Sequence, residues 1–152
     1  MLEKVLTDMG RADDLLPKLQ SLLAEDSENA PLRLFLADRL RAAGKLAEAE
    51  PLFREAVEKA PSPVAIHGLV AVERGLKRAE VLLDVLTELV ATTGGLTPLA
   101  DEAQALAADE ELLAAIVKAA HDKHQHDPDS LPYGGRLAVA LLTLEAGRFA
   151  EA

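Results

Sequence analysis

The sequence predicts an all-α chain, an α-solenoid of stacked antiparallel helix hairpins. Three observations carry that expectation. Helix-favouring residues (Leu, Ala, Glu, Lys, Arg) dominate, and strand-type alternation is almost absent. The 152 residues are 49% apolar but hold only four aromatics, Phe35, Phe53, Tyr133 and Phe149, so the core must be built from Leu, Val and Ala, which suit close helix–helix packing. The first part of the chain also repeats with a period of 34: GRADDLLPKLQSLLAEDSENA (10–30) lies over GKLAEAEPLFREAVEKAPSPV (44–64).

Helices are expected near 2–9, 13–25, 31–43, 47–59, 63–74, 77–92, 97–107, 109–124 and 133–146. The first units are set by matched pairs 34 residues apart: Gly10 with Gly44, Pro17 with Pro51, Leu19 with Phe53, Leu23 with Val57. Gly44 supplies the positive φ that ends the 31–43 helix and turns the chain. The 47–59 helix carries Leu46, Ala49, Leu52, Phe53, Ala56 and Val57 on one side. Pro51 sits inside it, and a start near Leu46 or Ala47 would place this proline at the end of the first turn, where the earliest N–H groups have no internal partner. Pro17 then marks the same slot one unit earlier. In 63–74 and 77–92 the small positions recur at Gly68, Gly75 and Ala79, in a shorter unit. TTGGLTP (92–98) is the best internal break and divides 1–93 from the weaker repeats of 94–152. Glu110 and Glu111 sit at a helix start, where carboxylates favour the dipole, as Asp13 and Asp14 do earlier. The last helix carries Leu137, Val139, Leu141, Leu142 and Leu144.

A 34-residue period with two helices per unit resembles the tetratricopeptide repeat family. The resemblance rests on APLRLFLADRLRAAGKLAEAEPLFREAVEKAP (30–61). It has the family's small residue in the first helix (Ala37), Gly44 between the helices, Ala49, the aromatic Phe53, Ala56, and the closing Pro61. Leu46 departs from the aromatic usual at its position. GRLAVALLTLEAGRFAEA (135–152) echoes the same frame, with Ala140, Gly147, Phe149 and Ala152, whereas 96–127 fits in little but length. The resemblance implies a right-handed superhelix whose concave face is lined by the first helix of each unit. It places Leu34, Asp38 and Arg41 on that face in the strongest unit and Leu137, Leu141 and Leu144 in the last. It also implies a protein-binding role, scaffold or adaptor, with a peptide or helix of a partner in the groove. Some family members grip a C-terminal carboxylate with Lys and Asn at these positions; Leu34 and Asp38 stand there instead, so that clamp is not expected. Leucines so spaced also suit a core, and Asp38 and Arg41 could simply pair with each other.

The pattern is cut at both ends, which fits a piece of a longer protein. The uncapped final helix would otherwise be a self-association contact. A second reading therefore makes the chain the helical arm of a larger enzyme or chaperone, thioredoxin-like or ATPase, whose chemistry lies elsewhere.

The net charge of −10 argues against sequence-independent nucleic-acid binding. Residues 101–129 hold eight acids against two bases, which could attract a basic partner or simply keep the chain soluble. No cysteine is present, which excludes disulfides and thiolate metal sites and fits a reducing, cytoplasmic setting. The longest apolar run, LAVALL (137–142), is far too short to span a bilayer, and no signal sequence is visible.

Nothing in the motifs argues for catalysis or a cofactor. Gly44-Lys45 lacks the first glycine and the Ser or Thr of a phosphate loop, and Gly94-Gly95 and Gly134-Gly135 lack dinucleotide spacing. GxSxG and HExxH do not occur. One dense polar cluster remains, HDKHQHDPD (121–129). His121 and His124 share a helix face, and His126, Asp127 and Asp129 follow, a donor set that could take zinc or nickel. The alternative is a solvated helix C-terminus, where histidines favour the dipole.

Overall fold

In the computed structural model the chain is all-α. The structure describes residues 15–93, 95, 100–127 and 131–147. Among these it forms eight helices and no strand: α1 (Leu15–Glu25), α2 (Ala30–Ala42), α3 (Leu46–Lys59), α4 (Pro63–Gly75), α5 (Ala79–Thr93), α6 (Ala100–Ala108), α7 (Glu110–His126) and α8 (Tyr133–Glu145). The expected helix over 2–9 lies outside the described residues; the other eight bounds agree to within three residues.

Packing divides the chain into two compact units, one up to Ala65 and the other from Ile66 onward. In the first, α2 packs against α1 and α3. Its core joins Leu15 and Leu19 of α1, Leu36, Ala37 and Leu40 of α2, and Ala49, Phe53, Ala56 and Val57 of α3. Ala37 and Ala49 are fully buried, so these small residues do let the α2 and α3 backbones come close. Asn29 starts α2 by accepting a hydrogen bond from the Leu32 N–H at 3.0 Å, with Pro31 in the first turn.

Gly44, at φ 74°, reverses the chain after α2. The Gly44 N–H donates to the Arg41 carbonyl at 3.0 Å and the Lys45 N–H to the Leu40 carbonyl at 2.9 Å, the paired bonds of a Schellman turn. The same two bonds close α4, from Lys77 to Arg74 at 3.1 Å and from Arg78 to Glu73 at 3.2 Å. There the left-handed residue is Lys77, at φ 54°, and not Gly75, which the sequence suggested; Gly75 is the last residue of the helix itself. Gly147, at φ 71°, ends α8 as expected, with its N–H on the Leu144 carbonyl at 3.0 Å.

Pro51 also sits differently from its expected place. The α3 hydrogen-bond ladder opens with the Ala49 N–H on the Lys45 carbonyl, so Pro51 is the sixth residue, in the second turn. The bond it cannot make belongs to the Ala47 carbonyl. Ala47 and Pro51 are both exposed, so that acceptor is on the solvent side of the helix, where leaving it without an internal partner costs little.

In the second unit α8 packs on α5, α6 and α7, and α7 packs on α5 and α6. Ile66 and Leu69 through Glu73 of α4 are buried on nearly every side, as befits an apolar helix inside a core. Gly134 and Gly135 explain themselves here. A Cβ on Gly134 would lie 2.6 Å from the Thr87 carbonyl oxygen, and one on Gly135 2.7 Å from the Thr87 hydroxyl. These glycines let the start of α8 press onto the middle of α5.

Two stability measurements check this account. Gly44→Ala meets no atom within 4 Å, so its cost is conformational only, about 1 kcal/mol. Lys77→Gly should shift chemical denaturation the other way, raising stability by up to ~1 kcal/mol less the small worth of an exposed ion pair. Equal signs would contradict the turn assignment. Gly134→Ala, meeting backbone rather than a yielding side chain, should cost about 1–3 kcal/mol and lower the thermal midpoint by several degrees.

Candidate functional site

Helix α2 buries Arg33, Leu36, Ala37 and Leu40, which leaves Pro31, Leu34, Phe35, Asp38, Arg41 and Ala42 on its outer side. At 100° per residue this face has two flanks. Leu34 and Arg41 lie on one, Phe35 and Arg39 on the other, and Asp38 runs between them. Asp38 accepts a hydrogen bond from Arg39 at 2.8 Å and from Arg41 at 2.7 Å. Partial burial by itself pushes the Asp38 carboxyl up, but the hydrogen bonds and charges of Arg41 and Arg39 outweigh it and hold the group below the usual carboxylate range. The Arg39 guanidinium lies over the Phe35 ring, 5.4 Å from its centroid.

Leu34, Asp38 and Arg41, singled out from the sequence, thus stand together and partly exposed. The pairing of Asp38 with Arg41 is real, and Arg39 enlarges it into a fork. Phe35 and Arg39 escaped the sequence reading. Their spacing of four on one helix face was the available signal.

Behind this face, Arg33 is almost wholly buried at 2% exposure. Its guanidinium donates to the Ser27 carbonyl and stands 3.1 Å from Glu55. Lys59 in turn joins Glu55 at 2.9 Å and Glu28 at 3.0 Å. Lys59 hydrogen-bonds Glu55 and lowers its carboxyl against an opposing desolvation, with the Arg33 charge helping. The hydrogen bonds to Glu55 and Glu28 raise Lys59 in return. The network ties the α1–α2 turn to α3 and so fixes how α2 presents its outer face.

On α8, Gly134, Gly135, Ala138, Val139, Leu142 and Thr143 are buried. Leu137 and Leu141 are half-buried, and Leu144 is 51% exposed. Tyr133, 70% exposed, extends this stripe by one turn and was also missed.

The histidines do not converge. His121 Nε2 lies 2.6 Å from Gln125 Nε2, His126 Nδ1 lies 3.2 Å from the Asp122 carbonyl, and all three rings are exposed. Asp129 lies outside the described residues, and among those described no group of three His, Cys, Asp or Glu side chains is placed to hold a metal ion. His126, Asp122, Lys123 and Asp127 line a surface groove of about 310 Å³ with Glu80 and Ala119, and Lys123 pairs with Asp84 of α5. His124 and His126 belong to the last turn of α7, with Lys123, where positive charge meets the carbonyl end of the helix.

Several acids of 101–129 have structural work. Glu102 receives Arg74 at 2.8 Å, with His67 3.9 Å away. Asp109 caps α7 by accepting from the Leu112 N–H at 3.1 Å, and Lys77 reaches Glu111 at 3.3 Å.

The described part of the chain is thus all-α, with left-handed turns closing α2, α4 and α8. Residues 6–72, somewhat less than half of the chain, match the tetratricopeptide repeat family model, and this part is similar to that family in a divergent form. The strongest unit, 30–61, falls inside the match. No curated protein and no solved structure gave a significant match. Among the described residues no helix is long and apolar enough to cross a membrane.

The Asp38 fork predicts acid lability. A depressed carboxyl contributes stability that is present above its unfolded-state value and is lost as pH falls through the folded one. Wild-type denaturation midpoints should therefore drop as pH falls below about 5, and Asp38→Asn should drop less over the same range. Superimposable pH profiles would show that the fork contributes nothing.

Proposed function

We propose that this chain is a non-catalytic interaction module that holds a peptide or helix of another protein, as scaffold or adaptor. Tetratricopeptide repeats are in general protein–protein interaction modules and typically non-catalytic, which supports the class of function. The observation that carries the reading is the outer face of α2. Leu34, Asp38 and Arg41 stand partly exposed on a helix anchored from behind by Arg33 and the Leu36–Ala37–Leu40 core. An apolar side chain beside charged groups on a rigid helix is the chemistry that recognises an amphipathic segment.

The α8 stripe of Tyr133, Leu137, Leu141 and Leu144 supports a second contact, with a partner or with another copy of this chain. The 70% exposure of Tyr133 and 51% exposure of Leu144 favour it, since large apolar groups so exposed on one helix face are unusual.

Affinity capture with the purified protein, followed by binding measurements on each partner identified, tests the reading. Leu34→Glu and Arg41→Glu should each weaken a true partner at least tenfold while leaving the thermal midpoint near that of wild type, because both side chains are partly exposed. Partners that bind all variants equally would rule out the α2 face. For α8, sedimentation should show any self-association disappearing on Leu144→Glu.

A further inference from the structure

Helix α1 is poorly equipped to stand by itself. Its 11 residues fall short of the roughly 12–15 that a lone helix needs in water. Its principal packing partner is α2, and it buries only Leu15 and Leu19. Its carbonyl end also carries the wrong charge. The last turns of α2, α3, α4 and α7 hold cations: Arg39 and Arg41, Lys59, Arg74, and Lys123 with two histidines. The last turn of α1 holds no base and ends on Glu25, and Asp26 and Glu28 follow within three residues. Carboxylates there meet the negative end of the helix dipole and work against it.

The missing cations come from the neighbouring hairpin. Arg33 of α2 donates to the Ser27 carbonyl, and Lys59 of α3 reaches both carboxylate oxygens of Glu28, at 3.0 and 3.2 Å. Glu55 holds the two donors together, 3.1 Å from Arg33 and 2.9 Å from Lys59. Ser27 and Glu28 belong to the turn that leads out of α1, so these contacts pin the acidic end of that helix to α2 and α3. The two cations are not equivalent. Arg33 is buried, and its removal would leave Glu55 without its partner inside the unit. Lys59 is half-exposed at the outer end of the network. Its removal leaves the Arg33–Glu55 pair, the Gly44 turn and the packing of Ala37, Ala49 and Phe53 in place.

We propose that α1 is a latched arm, which opens from α2 as a unit while the α2–α3 hairpin stays folded, and that the Lys59–Glu28 bridge is its latch. Opening uncovers the inner side of α2, on which Leu15 and Leu19 rest. The inference goes beyond the protein-binding reading and is independent of it, since it does not involve the outer face of Leu34, Asp38 and Arg41. The latch acts by supplying from α3 a positive charge that the end of α1 lacks. A cation built into that end of α1 would therefore replace it.

Native-state hydrogen exchange on the full chain tests it, because local opening frees the amides of one element and not of the others. In the wild type the amides of 19–25, which have partners inside α1, should exchange at least about tenfold faster than the slowest amides of α2 and α3. Lys59→Gln should speed exchange in 19–25 a further three- to fivefold, about the worth of an exposed ion pair, and leave α2 and α3 near the wild-type rate. Lys59→Arg should restore the wild-type pattern. In a Glu28→Gln background Lys59→Gln should add little, and Lys45→Gln, which loses only the pair with Glu48, should change nothing in α1. Glu25→Lys places the missing cation on α1 itself, so it should slow exchange in 19–25 and shrink the effect of Lys59→Gln. Circular dichroism checks that each variant is folded. Equal protection of α1, α2 and α3 in the wild type would overturn the proposal. So would an even rise over all three helices in Lys59→Gln, or faster exchange of 19–25 in Glu25→Lys. Should Lys59→Gln fail to fold, the wild-type comparison and Glu25→Lys decide by themselves.

Discussion

The α2–α3 and α4–α5 hairpins each reverse the chain within three residues, and that constraint governs much of what else is seen. A helix ends with four carbonyls lacking internal partners. In these two turns they are satisfied by N–H groups from the turn itself, with one residue in the left-handed region. Gly44 meets this without strain, and the α2–α3 hairpin then brings Ala37 and Ala49 into full burial. Lys77 meets it at a steric cost, because a Cβ disfavours that conformation by about 1–2 kcal/mol. The buried faces of α4 and α5 on either side must supply the difference, with Leu69, Val70, Leu82 and Leu83 all buried. Where the chain instead passes from α6 to α7 through Asp109 alone, a side-chain cap replaces the left-handed turn.

The same hairpin geometry decides which sequence signals were readable. Positions whose identity is dictated by backbone approach or φ spoke clearly. Ala37, Gly44, Ala49, Phe53 and Ala56 each do what a 34-residue unit demands, and Gly147 repeats the turn. Lys77 was silent, since nothing in a lysine announces positive φ, and the nearby Gly75 drew the assignment to itself. Pro51 shows a related limit. A proline signals that an N–H is dispensable, and dispensability depends on exposure as much as on distance from the helix start. Because Ala47 and Pro51 face water, the proline is tolerated a turn deeper than its N–H accounting alone suggested.

Side chains that act through tertiary partners were harder to read. Arg33 reads as one more surface base, yet it is the buried anchor of α2, because its partners Ser27 and Glu55 come from outside that helix. Gly134 and Gly135 stand in an expected helix with nothing in the sequence to announce their role as the contact point of α8 with α5. The histidines of 121–126 share a short segment, but among the described residues they do not come together with other His, Asp or Glu side chains in a group of three that could hold a metal ion. Proximity in sequence is enough for a cap or an Asp38–Arg41 pair; it is not enough for a ligand sphere.

Of the two partly exposed apolar stripes, α2 carries the firmer functional argument because its polarity is specified as well as its shape. The α8 stripe has Tyr133 and three leucines with Arg136 and Glu145 as the only charges on its helix, so nothing there selects one amphipathic partner over another. On α2, Asp38 does two jobs at once. It pre-orders Arg39 and Arg41, which lowers the entropy lost when either is engaged. It also offsets part of the guanidinium charge beside it, which lowers the cost of holding these groups partly away from water. That order follows from the pairing of Asp38 with Arg39 and Arg41 on one helix face and from the anchoring of the helix by Arg33.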